Sequence, residues 1–102
     1  MSNWVEVGTV EDIPRCGARV VRTPNGNIAV FRTGKDEIFA LHDRCPHKDG
    51  PLSQGIVHGR RVTCPLHGLI LELADGRVAP PDKGCAVTAR VKVDAGRILL
   101  SL

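Results

Sequence analysis

Apolar and polar residues alternate over short runs along most of this chain, and turn residues keep cutting the runs. Trp4 to Val7 alternates, with Val5 and Val7 on one face. Ala18 to Thr23 and Asn27 to Arg32 flank Pro24-Asn25-Gly26, and an Asn-Gly pair between two such runs predicts a hairpin whose turn uses positive φ angles. Thr33-Gly34-Lys35-Asp36 predicts a second turn leading into Ile38-Phe39-Ala40-Leu41. Gln54 to Val57 and Arg61 to Thr63 read as strands joined by His58-Gly59-Arg60. Leu69 to Leu73 and Arg77-Val78 form another pair around Ala74-Asp75-Gly76. Val87, Ala89, Val91 and Val93 alternate with Thr88, Arg90 and Lys92, which predicts one half-buried strand. Asp94-Ala95-Gly96 then turns into a last strand, Ile98 to Leu102. Helical periodicity is nowhere sustained; Val10 to Ile13 has room for one helical turn before Pro14. Many short strands separated by turns predict an all-β, antiparallel sandwich or barrel.

Composition narrows the class. A chain of 102 residues is expected to form one domain with its own core. The net charge of +3 and only three aromatic residues exclude a nucleic-acid footprint, which needs a dense basic face interleaved with aromatics. Met1-Ser2-Asn3-Trp4 lacks the basic and apolar regions of a signal peptide, and no apolar stretch reaches the length of a membrane span. The expected compartment is the bacterial-type cytoplasm, where a disulfide between Cys16 and Cys85 is disfavoured.

The chemistry is concentrated in Cys45-Pro46-His47, sixteen residues, then Cys64-Pro65-Leu66-His67. Each half supplies one thiolate and one imidazole, and Gly50, Gly55 and Gly68 stand close by. Two such loops suit a two-iron, two-sulfide cluster, with two thiolates on one iron and two imidazoles on the other. The competing reading is one structural zinc. Zinc modules more often pair Cys-x-x-Cys with a separate His pair, whereas here each loop mixes one Cys with one His. Replacing two thiolates by neutral imidazoles makes the oxidised cluster formally neutral, so an added electron is repelled less. His42 and His58 lie outside the motif and read as surface or turn histidines.

These residues resemble the Rieske proteins, whose pattern is Cys-x-His, a spacer of this size and Cys-x-x-His; Leu52 and Gly55 also stand where Rieske ferredoxins usually carry Leu and Gly. The resemblance implies a [2Fe-2S] cluster held by Cys45, His47, Cys64 and His67. It also implies a base of antiparallel strands drawn from both ends of the chain, with a small cluster-binding subdomain inserted at about 42–79. Pro80-Pro81 would be the proline loop closing over the cluster. Gly50 and Leu66 stand where the respiratory type carries two additional, disulfide-forming cysteines, so that staple is absent. Leu71 and Leu66 replace aromatics often found there, and the chain has no tyrosine to hydrogen-bond a cysteine sulfur. Fewer donors leave more negative charge on the cluster, which predicts a potential in the low half of the Rieske range, roughly −150 to 0 mV.

The run Gly50 to Gly59, Thr63 to His67 and Gly84-Cys85 is similar to the small subunit of assimilatory NAD(P)H-dependent nitrite reductase. That branch implies a non-catalytic electron-transfer subunit beside a large nitrite reductase subunit. Ring-hydroxylase ferredoxins share most of the same positions and imply instead a shuttle between a flavin reductase and a terminal oxygenase. A third class is an interaction module whose metal is only structural. Asp43, Arg44, Lys48 and Asp49 crowd the first loop as solvated charges or docking groups. Arg60 and Arg61 are expected on the same side, which would make the tip positive and steer it toward an acidic partner. Cys85 is expected to be a small buried apolar residue.

Overall fold

The structure, a computed structural model, describes residues 4–46, 50–65, 68–80 and 83–101. The described residues form nine strands in three antiparallel, three-stranded sheets. The first sheet has the order β1-β9-β8 and joins Trp4–Thr9 (β1), Arg97–Ser101 (β9) and Val91–Asp94 (β8). The second is the meander Gly17–Thr23 (β2), Gly26–Arg32 (β3) and Ile38–His42 (β4). The third joins Ile56–His58 (β5), Arg61–Thr63 (β6) and Ile70–Glu72 (β7). No helix among the described residues is long and apolar enough to cross a membrane.

The central strand β3 explains how the layers meet. Ile28-Ala29-Val30-Phe31 is an unbroken apolar run because both faces of this strand are covered. Ile28 and Val30 pack with Ile13, Ala40, Ile98 and Leu100 against the first sheet. Ala29 and Phe31 face the other way, into a second core with Leu41, Leu52, Val57, Val62, Leu71 and Leu73. Fully burying each of these leucines is worth about 1.5–3 kcal/mol, which is the main force closing the third sheet onto the base.

The β2–β3 hairpin forms as expected, but its turn differs. Only Gly26 has a positive φ, 111°, and Asn25 does not. Pro24 fixes its own φ near −65°, so a turn with two positive φ angles cannot be built on it. The loop is held instead by Thr23, whose Oγ1 donates to the Gly26 carbonyl at 2.6 Å and accepts from the Asn25 N–H at 3.2 Å. Gln54 is not strand: Leu52–Gln54 is a single 3-10 turn, and β5 starts at Ile56. That turn packs so closely on β6 that a side chain at Gly55 would run into the Thr63 carbonyl oxygen. The helical turn before Pro14 is present at Val10–Asp12.

The alternation from Val87 to Val93 is one extended segment shared between two sheets. Its first part lies along β4, with the His42 N–H donating to the Val87 carbonyl at 2.7 Å, the Ala89 N–H to the Ala40 carbonyl at 2.9 Å, and Thr88 bridging Leu41. Only Val91–Asp94 forms a named strand, and it pairs with β9. The change of sheet leaves Val87 exposed, contrary to the alternation.

One buried charge ties the base together. Arg32 donates from Nη1 to the carbonyls of Ile13 (2.7 Å) and Val10 (3.1 Å), and its Nη2 lies 2.7 Å from Asp36 Oδ1. Asp36 also accepts from Arg15. The Arg15 and Arg32 hydrogen bonds hold the Asp36 carboxyl down at about 2.

Candidate metal centre

The two motif cysteines come from different sheets. The first loop leaves the end of β4, and the Cys45 N–H closes it by donating to the Gly50 carbonyl at 2.8 Å. The second loop connects β6 to β7, closed by Cys64 N–H to Leu69 O at 2.7 Å and Gly68 N–H to Cys64 O at 3.1 Å. Both side chains are at most 1% exposed and belong to the same apolar core as Leu41, Leu52 and Leu71. Neither is in a disulfide, and all four cysteines of the chain are unbridged. Two dry sulfur donors on two separately closed loops, set against apolar walls, fit a thiolate-ligated cluster half. His47 and His67, the expected imidazole ligands, lie outside the described residues, as do Lys48, Asp49, Leu66 and Pro81. Among the described residues no group of three His, Cys, Asp or Glu converges as a metal site.

The other expected positions divide. His58 is exposed and its Nε2 lies 2.7 Å from Thr63 Oγ1, a surface role. His42 is half-buried at the end of β4, where its backbone N–H holds the Val87 carbonyl. Asp43 is a clip rather than a solvated charge: its carboxylate accepts from the Ser53 N–H at 2.7 Å and from Ser53 Oγ at 2.8 Å. Nothing in its alternation signalled this; an Asp next to a turn with a Ser ten residues on was the only trace. Leu71 is fully buried among the cysteines, so an apolar wall stands where an aromatic was noted as missing.

Arg60 and Arg61 do not charge the cluster end. Arg60 sits in the β5–β6 turn, at the opposite end of β6 from Cys64, roughly 10 Å away along three residues. It pairs with Glu37 at 3.3 Å and stacks on Phe39, while Arg61 pairs with Glu72 at 3.0 Å. Cys85 is exposed rather than buried. It helps wall a cavity of about 210 Å³ beside Cys45, together with His42, Pro46 and Val87.

Comparison with known proteins places this geometry. The Rieske [2Fe-2S] domain family matches residues 3–90. The ferredoxin subunit of anthranilate 1,2-dioxygenase from Burkholderia cepacia is 34% identical over 99 residues, covering 97% of this chain and 87% of that protein. The solved structure of the ferredoxin of carbazole 1,9a-dioxygenase from Nocardioides aromaticivorans IC177 superposes with a TM-score of 0.87 at 25% identity, covering 98% of each chain. A protein described as an NADH-dependent nitrite reductase small subunit from Mycobacterium tuberculosis superposes with a TM-score of 0.89 over 100% of this chain and 96% of that one. Its identity is 19%, a likeness of fold alone.

Proposed function

Since this chain belongs to the Rieske [2Fe-2S] domain family and so transfers electrons through a two-iron, two-sulfide cluster rather than binding zinc, we propose that it is the ferredoxin component of a ring-hydroxylating dioxygenase system. In that role it passes electrons from a flavin reductase to a terminal oxygenase. The observation that carries this reading is the 34% identity, over 97% of the chain, to a dioxygenase ferredoxin subunit. The whole chain, 1–102, acts as one domain with its cluster-binding subdomain at about 42–79, in the cytoplasm.

Cys45 and Cys64 would hold one iron, and His47 and His67 the other; the cluster, when bound, would supply a one-electron store. The chain's own contribution is enclosure. Leu52, Leu69 and Leu71 keep water from the sulfurs, and with no tyrosine in the sequence no phenol donates to them. Weak donation leaves the potential low, at roughly −150 to 0 mV, and a redox titration giving a value above about +150 mV would count against this account. The same titration separates an electron carrier from a purely structural cluster.

Docking is supported by two exposed side chains. Ile56 (70% exposed) pairs across the sheet with Thr63, the neighbour of Cys64, and Val87 (64% exposed) lines the cavity beside Cys45. The most exposed large apolar residues of the described chain thus flank both cluster loops, where an electron partner has to approach.

The second reading is the small subunit of NAD(P)H-dependent nitrite reductase, favoured by the Gly50 to Gly59 run. Reconstitution decides between them. Cluster-loaded chain should support aromatic dihydroxylation when mixed with the reductase and oxygenase encoded near its gene. Co-purification with a sirohaem-containing large subunit from the native host, without coupling to an oxygenase, would overturn the first reading in favour of the second.

A further inference from the structure

Because Cys45 hangs from β4 of the base and Cys64 from the third sheet, the gap between the two loops depends on what ties those sheets together. One tie is the Asp43–Ser53 clip with the close approach at Gly55. The other is the segment 84–87, which three backbone hydrogen bonds hold at its two ends. The Val78 N–H donates to the Gly84 carbonyl at 3.0 Å, Cys85 bridges Arg77, and the Ala86 N–H donates to the Gly76 carbonyl at 2.8 Å. Those bonds fix it to the third sheet. At its other end the His42 N–H donates to the Val87 carbonyl at 2.7 Å, fixing it to β4. Between them, Gly84 sits at φ 138°, and a Cβ there would lie 3.4 Å from Pro46 Cγ and 3.5 Å from Val78 Cγ2. Pro46 is the residue after Cys45.

We infer that the segment 84–87 is a strap that sets the separation of the two cluster loops, with Gly84 as a positioning residue acting through Pro46 on Cys45. Glycine is needed there for two reasons: the backbone angle is strained for any other residue, and side-chain branches would push Pro46 outward. A displaced Pro46 moves the Cys45 sulfur relative to Cys64 and opens the apolar wall beside it. Groups that orient a metal's ligands typically change metal retention by about 10–100-fold when altered.

This rests on the reading that Cys45 and Cys64 hold the cluster, and the test keeps the two apart. The chain is loaded with its cluster, then followed by reduced-state EPR, visible circular dichroism and the rate of iron release to ferrozine. Gly84→Val should release iron about tenfold faster than wild type and shift the EPR g values. Adding Pro46→Ala removes the ring atoms that the valine strikes but not the strained φ at 84, so the double variant should move most of the way back toward the Pro46→Ala rate and spectrum. Pro46→Ala alone folds without new strain and should release iron faster than wild type. A folded Gly84→Val with wild-type release and spectrum overturns the strap, as does a double variant no better than Gly84→Val, which would assign the effect to backbone strain. Should Gly84→Val not fold, a wild-type release rate in Pro46→Ala overturns it instead. Cys45→Ser that loads iron with a wild-type spectrum would overturn the ligand reading itself.

Discussion

The base and the cluster-binding part are held together by different means. Strands of the first two sheets run four to seven residues and pair in ladders of four to seven residue pairs, with one register shift, between Glu6 and Gly8 in β1. Strands of the third sheet have three residues each, and its remaining order comes from turn bonds, two isolated bridges near Gly76 and Gly84, and packing around the two cysteines. A three-residue ladder is too short to persist alone, since two short strands without a broad apolar face are marginal in water. The third sheet therefore depends on the core it shares with β3 and β4 and, on the proposed ligand set, on metal, whereas the base has a second core of its own between the first two sheets.

The largest effect should come from taking the metal away. Cys64→Ser should lower iron from about two per chain to almost none. Amide hydrogen exchange in β5, β6 and β7 should then speed up by more than tenfold, while β1 to β4, β8 and β9 stay protected. Loss of protection in all nine strands together would break the contrast and make the chain one cooperative unit.

The next effect is on the base. Arg32→Met leaves the Ile13 and Val10 carbonyls without their donor and Asp36 without its closest cation, which should cost about 3 kcal/mol in urea unfolding. The visible spectrum of the loaded chain should not change, because none of these contacts reaches the cysteine core. A bleached cluster in this variant would show that the two regions are coupled more tightly than their contacts suggest.

A smaller effect belongs to the surface. Replacing both Ile56 and Val87 by serine should slow electron delivery to the redox partner about tenfold while leaving the potential where it was. An unchanged rate would move the docking surface elsewhere.

The smallest effect is the acid response of Asp36. Its carboxyl titrates near 2 in the folded chain, against 3.8 ordinarily, because the Arg15 and Arg32 hydrogen bonds favour the charged form. The stability it contributes is therefore complete above about pH 4 and is lost as the pH falls from there to about 2. Asp36→Asn should flatten that part of the stability profile and lower stability near neutrality toward the level the wild type reaches at about pH 2.

Much of this was legible in the sequence where one residue answers to one neighbour. The hairpin around Pro24-Asn25-Gly26 and the pair around Ala74-Asp75-Gly76 are local signals, and the structure has them; the motif cysteines, also a local signal, lie in one core. The misreadings come from residues whose role is decided far along the chain. Val87 looks inward by alternation, yet the segment changes sheets after Ala89 and leaves it outside. Cys85 reads as core because cysteine usually is, but it lies exposed, its Sγ donating to the Asp75 carbonyl ten residues back at 3.4 Å. Arg60 and Arg61 precede the second cysteine closely in sequence, but an intervening strand carries them to the opposite end. Asp43 reads as a solvated charge until Ser53, ten residues on, folds back to meet it.

The strand order of the first sheet has a consequence for synthesis. Among the described strands β9 comes latest in the chain, and it is the middle one, with β1 and β8 on either side. While the chain emerges from a ribosome, β1 has no partner until residues 97–101 have been added. Ile98 and Leu100, which fill the core against Ile28 and Val30, arrive equally late. The β5–β6 and β6–β7 hairpins, with their cysteine, are by contrast complete some thirty residues earlier. A nascent chain can thus display Cys45 and Cys64 to an iron donor before its base can close, and a stop codon ahead of residue 97 would leave the first sheet with no strand to hold its two edges.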